Sequence, residues 1–337
     1  MSGRRMRRTT AVIAIVASLV TAMSCGGPSA PTVAGSPAAS AVDRATDING
    51  LVDVGDGRKM HVECSGTGSP TVFLIAGRGN GADDWTQILD PADPVHDAPG
   101  DDLGFGMGTL IHSDQAVFPS VARFTRVCTY DRPDIRVDGE VTTSRPQPHT
   151  VDLDVSDLHA LAAAIGESGP KVLVAHSYGG LIATLYARTY PDEVSGLVMV
   201  DTVSQLMAQV VAPTALRNWD SDNATTSPQV REGVQLLDAF RQIDAAPPVP
   251  KVPAVVLAAD KPWRTDLLPA ELRDRESVTF ANWLAQLDRL ATALDAEKVT
   301  DTHSGHDIYL YNPSIVVDAI QLVANEVRTA AEGDAGR

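Results

Sequence analysis

Beyond residue 50 the chain alternates short, largely apolar runs with longer amphipathic ones, and this alternation restricts the fold more than any other feature. Thr71–Ile75, Arg126–Tyr130, Val172–Ala175, Gly196–Val200 and Val252–Ala258 have the length and aliphatic character of buried strands. Between them, Val151–Ile165, Leu181–Arg188 and Val278–Leu294 carry helical patterns, and Pro313–Val327 reads as a final helix. In the first of these, Leu153, Val155, Leu158, Leu161, Ala162 and Ile165 fall on or near one face. Strands apolar at successive positions are buried on both sides, so the expectation is an α/β fold: a mainly parallel sheet with helices on both faces. Leu51–Val54 and Lys59–Glu63 flank Gly55-Asp56-Gly57 and predict an opening hairpin.

Two stretches break the alternation. Residues 83–120 are rich in Asp, Gly and Pro, too long for a plain connection, and are expected to cover or line something. Residues 202–250 sit between two core strands with scattered helical pattern and predict an inserted cap. At 337 residues and 44% hydrophobic content the chain can fill a large core, which excludes wholesale disorder. Its net charge of −16 repels nucleic acid and anionic headgroups, so neither is an expected partner.

The first residues read as an export signal. Arg4, Arg5, Arg7 and Arg8 precede the apolar run Ala11–Val20, which is shorter than the roughly 18–20 residues of a spanning helix. Ala22-Met23-Ser24-Cys25 resembles a bacterial lipoprotein signal, in which the cysteine is lipidated, although Leu is usual where Ala22 stands. An ordinary signal peptide cut nearby is the alternative. The tract from Gly26 to about Ser40, rich in Pro, Ala, Gly and Ser, suits a tether. The expected division is a signal over 1–24, a flexible linker over 25–46 and a folded domain over 47–337. Such a chain is exported, as a cell-envelope lipoprotein or otherwise secreted, and meets a membrane only through Cys25. Cys64 and Cys128 remain, and an even pair in an exported chain invites a disulfide.

One segment carries chemistry. Lys171-Val172-Leu173-Val174-Ala175-His176-Ser177-Tyr178-Gly179-Gly180 sets a serine on a sharp turn between a buried strand and a helix. Small residues at ±2 let strand and helix approach closely. The turn lifts the hydroxyl clear of the sheet, and the helix N-terminus favours developing negative charge.

This segment resembles the Gly-x-Ser-x-Gly elbow of the α/β-hydrolase superfamily, with Ala175 in place of the first glycine. The likeness extends over roughly 50–328, through Thr129-Tyr130-Asp131-Arg132-Pro133 after the fourth strand and Ser304-Gly305-His306 before the last helix. It implies an α/β-hydrolase fold and a nucleophilic Ser177 with a histidine base on a late loop. Of eight histidines only His303 and His306 lie there, and the Gly-His pattern selects His306. His176 is expected to be packed. The superfamily's oxyanion hole assigns one donor to the Tyr178 N–H and the other to the loop after Ile75, at Arg78 or alternatively Gly77. The acid follows either the sixth strand, which gives Asp201, or the seventh, where Asp260 stands; Asp201, 24 residues after Ser177, is preferred. Because the superfamily's second and fourth strands are neighbours, Cys64 and Cys128 are expected to pair.

The implied activity is serine hydrolysis of a small-molecule carboxylic ester through an acyl-enzyme. Amide, lactone, thioester or C–C bond hydrolysis, and a non-catalytic binding protein of the same fold, remain alternatives. No His/Cys/carboxylate spacing or phosphate-cradling glycine loop implies a metal or organic cofactor.

Overall fold

The computed structural model describes residues 47–92, 108–137, 139–228, 230–263 and 275–335, with Ala270. The signal, Cys25 and the linker lie outside the described residues, as do 93–107 of the 83–120 stretch.

Ten strands are present among the described residues: β1 (Ile48–Gly55), β2 (Arg58–Ser65), β3 (Thr71–Ile75), β4 (Gln87–Leu89), β5 (Leu110–His112), β6 (Val127–Tyr130), β7 (Lys171–His176), β8 (Val194–Val200), β9 (Ala254–Leu257) and β10 (Glu297–Val299). Eight form one sheet in the order β1-β2-β6-β3-β7-β8-β9-β10, while β4 and β5 pair separately. From β6 to β10 the neighbours are parallel. The opening hairpin joins antiparallel at one edge.

The expected two-sided burial is visible residue by residue. Phe73 and Ile75, Leu173 and Ala175, Leu197 and Met199 pack into one hydrophobic cluster. Val72 and Leu74, Val172 and Val174, Val198 and Val200 pack into the other. The first cluster is closed by α2 (Val151–Ala164), α3 (Gly179–Thr189), α4 (Pro213–Ala224), α5 (Leu236–Ala245) and α6 (Phe280–Leu294). The second is closed by α1 (Val117–Val121), α7 (Ile308–Tyr311) and α8 (Pro313–Ala335). Burying side chains on both faces at about 25 cal/mol per Å² is the main force holding such a sheet.

The segment between β8 and β9 contributes Met207, Leu216, Leu236, Phe240 and Ile243 to the first cluster, so its apolar side chains continue the sheet's own core. The helix α6 begins with a reciprocal cap, in which Thr279 Oγ1 accepts from the Asn282 N–H and Asn282 Oδ1 from the Thr279 N–H. One residue departs from the expected pattern: Leu153 is 44% exposed, because α2 turns Val151, Val155, Leu158 and Leu161 inward instead. Three short elements carried too little pattern to be read from sequence, namely the β4–β5 pair, α7 and the edge strand β10.

Cys64 and Cys128 sit directly opposite one another across the β2–β6 pair, with Cα atoms 4.1 Å apart, and form a disulfide. It ties the antiparallel hairpin to the parallel sheet. No helix among the described residues is long and apolar enough to cross a membrane.

Candidate active site

The residues singled out above for a catalytic role all follow the carboxyl ends of parallel strands. Gly77 and Arg78 come after β3, Ser177 and Tyr178 after β7, Asp201 after β8, Asp260 after β9 and His306 after β10. This is the edge at which open α/β sheets bind ligands.

Ser177 has φ +50°, a left-handed backbone that costs a non-glycine residue roughly 1–3 kcal/mol. Hydrogen bonds hold it there: the N–H groups of Gly180 and Val203 each donate to its carbonyl at 3.0 Å. Residues on either side are buried while Ser177 itself is only half-buried, so the turn offers its side chain outward. A Cβ on Gly179 would stand 2.5 Å from the Ile75 carbonyl oxygen, which is why the position two after the serine is glycine. Ala175 at the other flank is fully buried.

The structure brings Asp201 and His306 together across 105 residues of chain, with His306 Nδ1 2.7 Å from Asp201 Oδ2. A carboxylate at that distance fixes the proton on Nδ1 and leaves Nε2 as the proton-accepting nitrogen. Asp201 is fully buried and sits at φ +44°. Its Oδ1 accepts from the Ala259 N–H at 2.9 Å, and its Oδ2 also accepts from the indole N–H of Trp283 at 2.9 Å. The same face of α6 supplies Gln286, which donates to the Thr202 carbonyl and accepts from the Ser204 hydroxyl. The helix thus grips the loop that carries Asp201. The Trp283 ring also lies edge-on to His306, 5.2 Å between centroids.

Asp260 has a different occupation. Its two carboxylate oxygens accept from the N–H groups of His303 at 3.0 Å and Ser304 at 2.9 Å, which clips the loop leading to His306. With Asp301 and His303 it gathers oxygen and nitrogen atoms within 4.8 Å of one another on exposed side chains, a grouping that could hold a cation.

His176 is buried, as the sequence suggests, and makes a contact the sequence does not show. Its Nε2 lies 3.1 Å from the His306 carbonyl oxygen, so Nε2 carries the proton. Burial, with His306 nearby, pushes its pKa well below the ordinary 6.5, and it stays neutral.

The loop after β3 passes close to the serine. A Cβ on Gly77 would stand 2.8 Å from His176 Nδ1 and 3.1 Å from Ser177 Cβ. The Arg78 side chain turns away to the β8–β9 insertion, donating to the carbonyls of Glu232 at 2.9 Å and Thr225 at 2.6 Å. Tyr178 donates its hydroxyl to Asp154 at 2.7 Å. Burial, with Asp154 and Glu232 nearby, raises the Tyr178 pKa well above 10, so the phenol remains a donor.

Sequence reading missed three members of this neighbourhood. Trp283 and Glu232 lie in segments with no motif, and Arg132, although part of a recognised loop, carried no assigned role. Nothing local in the chain points to their partners, which are 82, 100 and 100 residues away.

Several known proteins are similar to this chain. An uncharacterized protein of Schizosaccharomyces pombe is 30% identical over 153 residues, 43% of this chain and 26% of its own length. Lipase LipV of Mycobacterium tuberculosis is 46% identical over 54 residues, 16% of this chain and 20% of its own. The chain therefore spans about a quarter and a fifth of these two relatives. Among solved structures, a candidate lipase from Acinetobacter baumannii shares the fold at TM-score 0.50 and 17% identity, covering 85% of this chain and 93% of that one. A thermophilic esterase from Thermogutta terrifontis gives TM-score 0.49 and 17% identity, with 84% and 99% covered. The model of the alpha/beta hydrolase family matches residues 72–319, and the chain belongs to that family.

Proposed function

We propose that the protein is a serine hydrolase that cleaves a carboxylic ester, with Ser177 as nucleophile, His306 as base and Asp201 as acid. The observation that carries this reading is the 2.7 Å bond from His306 to buried Asp201, set beside a serine held at φ +50° on an elbow. In this scheme His306 Nε2 takes the Ser177 proton as the oxygen attacks the ester carbonyl. Asp201 stabilises the imidazolium that forms. The tetrahedral oxyanion is received by the N–H groups of Tyr178 and of Arg78, with Gly77 the alternative second donor. His306 then protonates the departing alcohol. Water, activated by the same nitrogen, releases the acid from Ser177.

The choice of ester rests on the short match to a lipase. Ser177→Ala tests it: the variant should lose labelling by a fluorophosphonate and all turnover on an ester panel, while keeping the wild-type melting temperature. Labelling that persists in the variant rules out Ser177. Turnover of amides or lactones alone would replace ester as the substrate.

The domain is further proposed to be exported, with residues 1–24 as signal, Cys25 lipidated, and 25–46 as tether. Cys25→Ala should then move the protein from the membrane to the soluble fraction; an unchanged distribution favours a plain secretory signal.

A further inference from the structure

Behind the β3 loop lies a buried ion pair that the scheme above does not use. Arg132 is 1% exposed and Glu232 is fully buried. The guanidinium meets the carboxylate through two bonds, Nε to Oε1 at 2.7 Å and Nη2 to Oε2 at 2.8 Å. Burial opposes ionisation of Glu232, but Arg132 outweighs it and holds the carboxyl below its ordinary 4.5.

The remaining donors of Arg132 point at the loop beside the serine. Nη1 donates to the Ala76 carbonyl at 2.8 Å and Nη2 to the Gly77 carbonyl at 2.5 Å. In a trans peptide the C=O and the following N–H point in opposite directions. Holding both carbonyls on the Arg132 side therefore aims the N–H groups of Gly77 and Arg78 away from it. Those two N–H groups are the candidate oxyanion donors from this loop. The guanidinium carbon also lies 5.5 Å from the centre of the Tyr178 ring, so one cation supports the residues assigned to both donors.

Glu232 is not on the core sheet but in the insertion between α4 and α5, and it binds the loop as well, accepting from the Gly79 N–H at 2.9 Å. A buried Arg132 without a counter-charge would be strongly disfavoured. Unseating this part of the insertion would take away the carboxylate bonded to the guanidinium and leave it only the charge of Asp154, to which it is not bonded.

We propose that the Arg132–Glu232 pair positions the oxyanion donors, fixing the two peptide planes of the β3 loop and making their orientation depend on the docked insertion. This rests on the serine-hydrolase reading and adds a positioning residue to it. Arg132 touches no reacting atom in this account; it acts through Gly77, Arg78 and Tyr178.

The test compares Arg132→Lys, which keeps the charge but loses the fork, with Glu193→Gln. The latter disturbs another ion pair, Lys171–Glu193, at the opposite end of β7. Both are corrected for folded fraction from their unfolding curves. Arg132→Lys should lower kcat on the ester panel and the fluorophosphonate labelling rate by about 10²-fold at little-changed KM, as for loss of one oxyanion donor. The pH dependence of kcat/KM should stay put, because His306 and Asp201 are untouched. Glu193→Gln should keep wild-type kcat.

If Arg132→Lys does not fold, Arg132→Met combined with Glu232→Leu removes both partners together, leaves neither without its bonded counter-charge and should show the same loss. A folded variant of either kind that labels at the wild-type rate overturns the proposal, as does an equal loss in Glu193→Gln. Failure of the serine-hydrolase reading shows elsewhere: the wild type takes no label, or Ser177→Ala takes it.

Discussion

The two flanks of Ser177 are built on different electrostatic plans. On the side of β3 and β6, charge is met by charge. Arg132 pairs with Glu232, Arg145 with Asp154 and Asp157, and Arg136 with Asp131 and Asp83. On the side of β8 and β9, buried Asp201 receives a backbone N–H, an indole N–H and the imidazole of His306. Among the described residues no lysine or arginine forms an ion pair with it. In the proposed reaction no cation has to appear on the first flank; the backbone there only has to hold still. On the second, a positive charge forms on His306, and a carboxylate already neutralised by arginine would have little left to offer it.

The sharpest way to break this contrast is to remove the uncompensated charge. Asp201→Asn should lower kcat by about 10⁴-fold, because the amide favours the wrong imidazole tautomer. Asp260→Asn, which loosens only a loop clip, should cost tenfold or less. Steady-state kinetics on the two purified variants decides between them, and a reversed order would move the acid to Asp260.

A smaller effect sharpens the comparison. Trp283→Phe removes one neutral donor from Asp201 Oδ2 and leaves more negative charge facing His306. The imidazolium is then better stabilised and His306 keeps its proton to higher pH. The acid limb of the kcat/KM profile should shift upward, with kcat on the plateau falling less than tenfold. A limb that stays in place or moves down would show that the indole supplies packing alone.

What could be read from the chain follows the reach of each interaction. The strands were legible because two-sided burial leaves unbroken apolar runs such as Val172–Ala175. The elbow was legible because its constraint acts over five residues. Leu153 was misjudged because it lies at the boundary of the apolar face, where a small rotation of α2 decides burial. The choice between Asp201 and Asp260 could only be weighed, since both follow core strands. What separates them is Ala259, Trp283 and His306 on one side and the His303–Ser304 backbone on the other. The pairing of Arg132 with Glu232 gave no signal, because neither residue's neighbours along the chain hint at a partner 100 residues away.

The β3 loop has a consequence for anyone wishing to redesign what this protein accepts. At Gly77 a side chain would start 2.8 Å from His176 Nδ1, and at Gly81 it would start 2.4 Å from Asp131 Oδ1. A carbon added at either glycine must displace a packed neighbour. Libraries that randomise Gly77 and Gly81 would therefore return mostly inactive protein, however permissive the glycines look in the sequence. Open space lies instead beside Thr226, Ser227 and Arg231 of the insertion, which line a cavity of about 460 Å³ with Ser144 and Gln147. Variation there is tolerated only while Thr225 and Glu232, on either side of it, stay seated against the β3 loop.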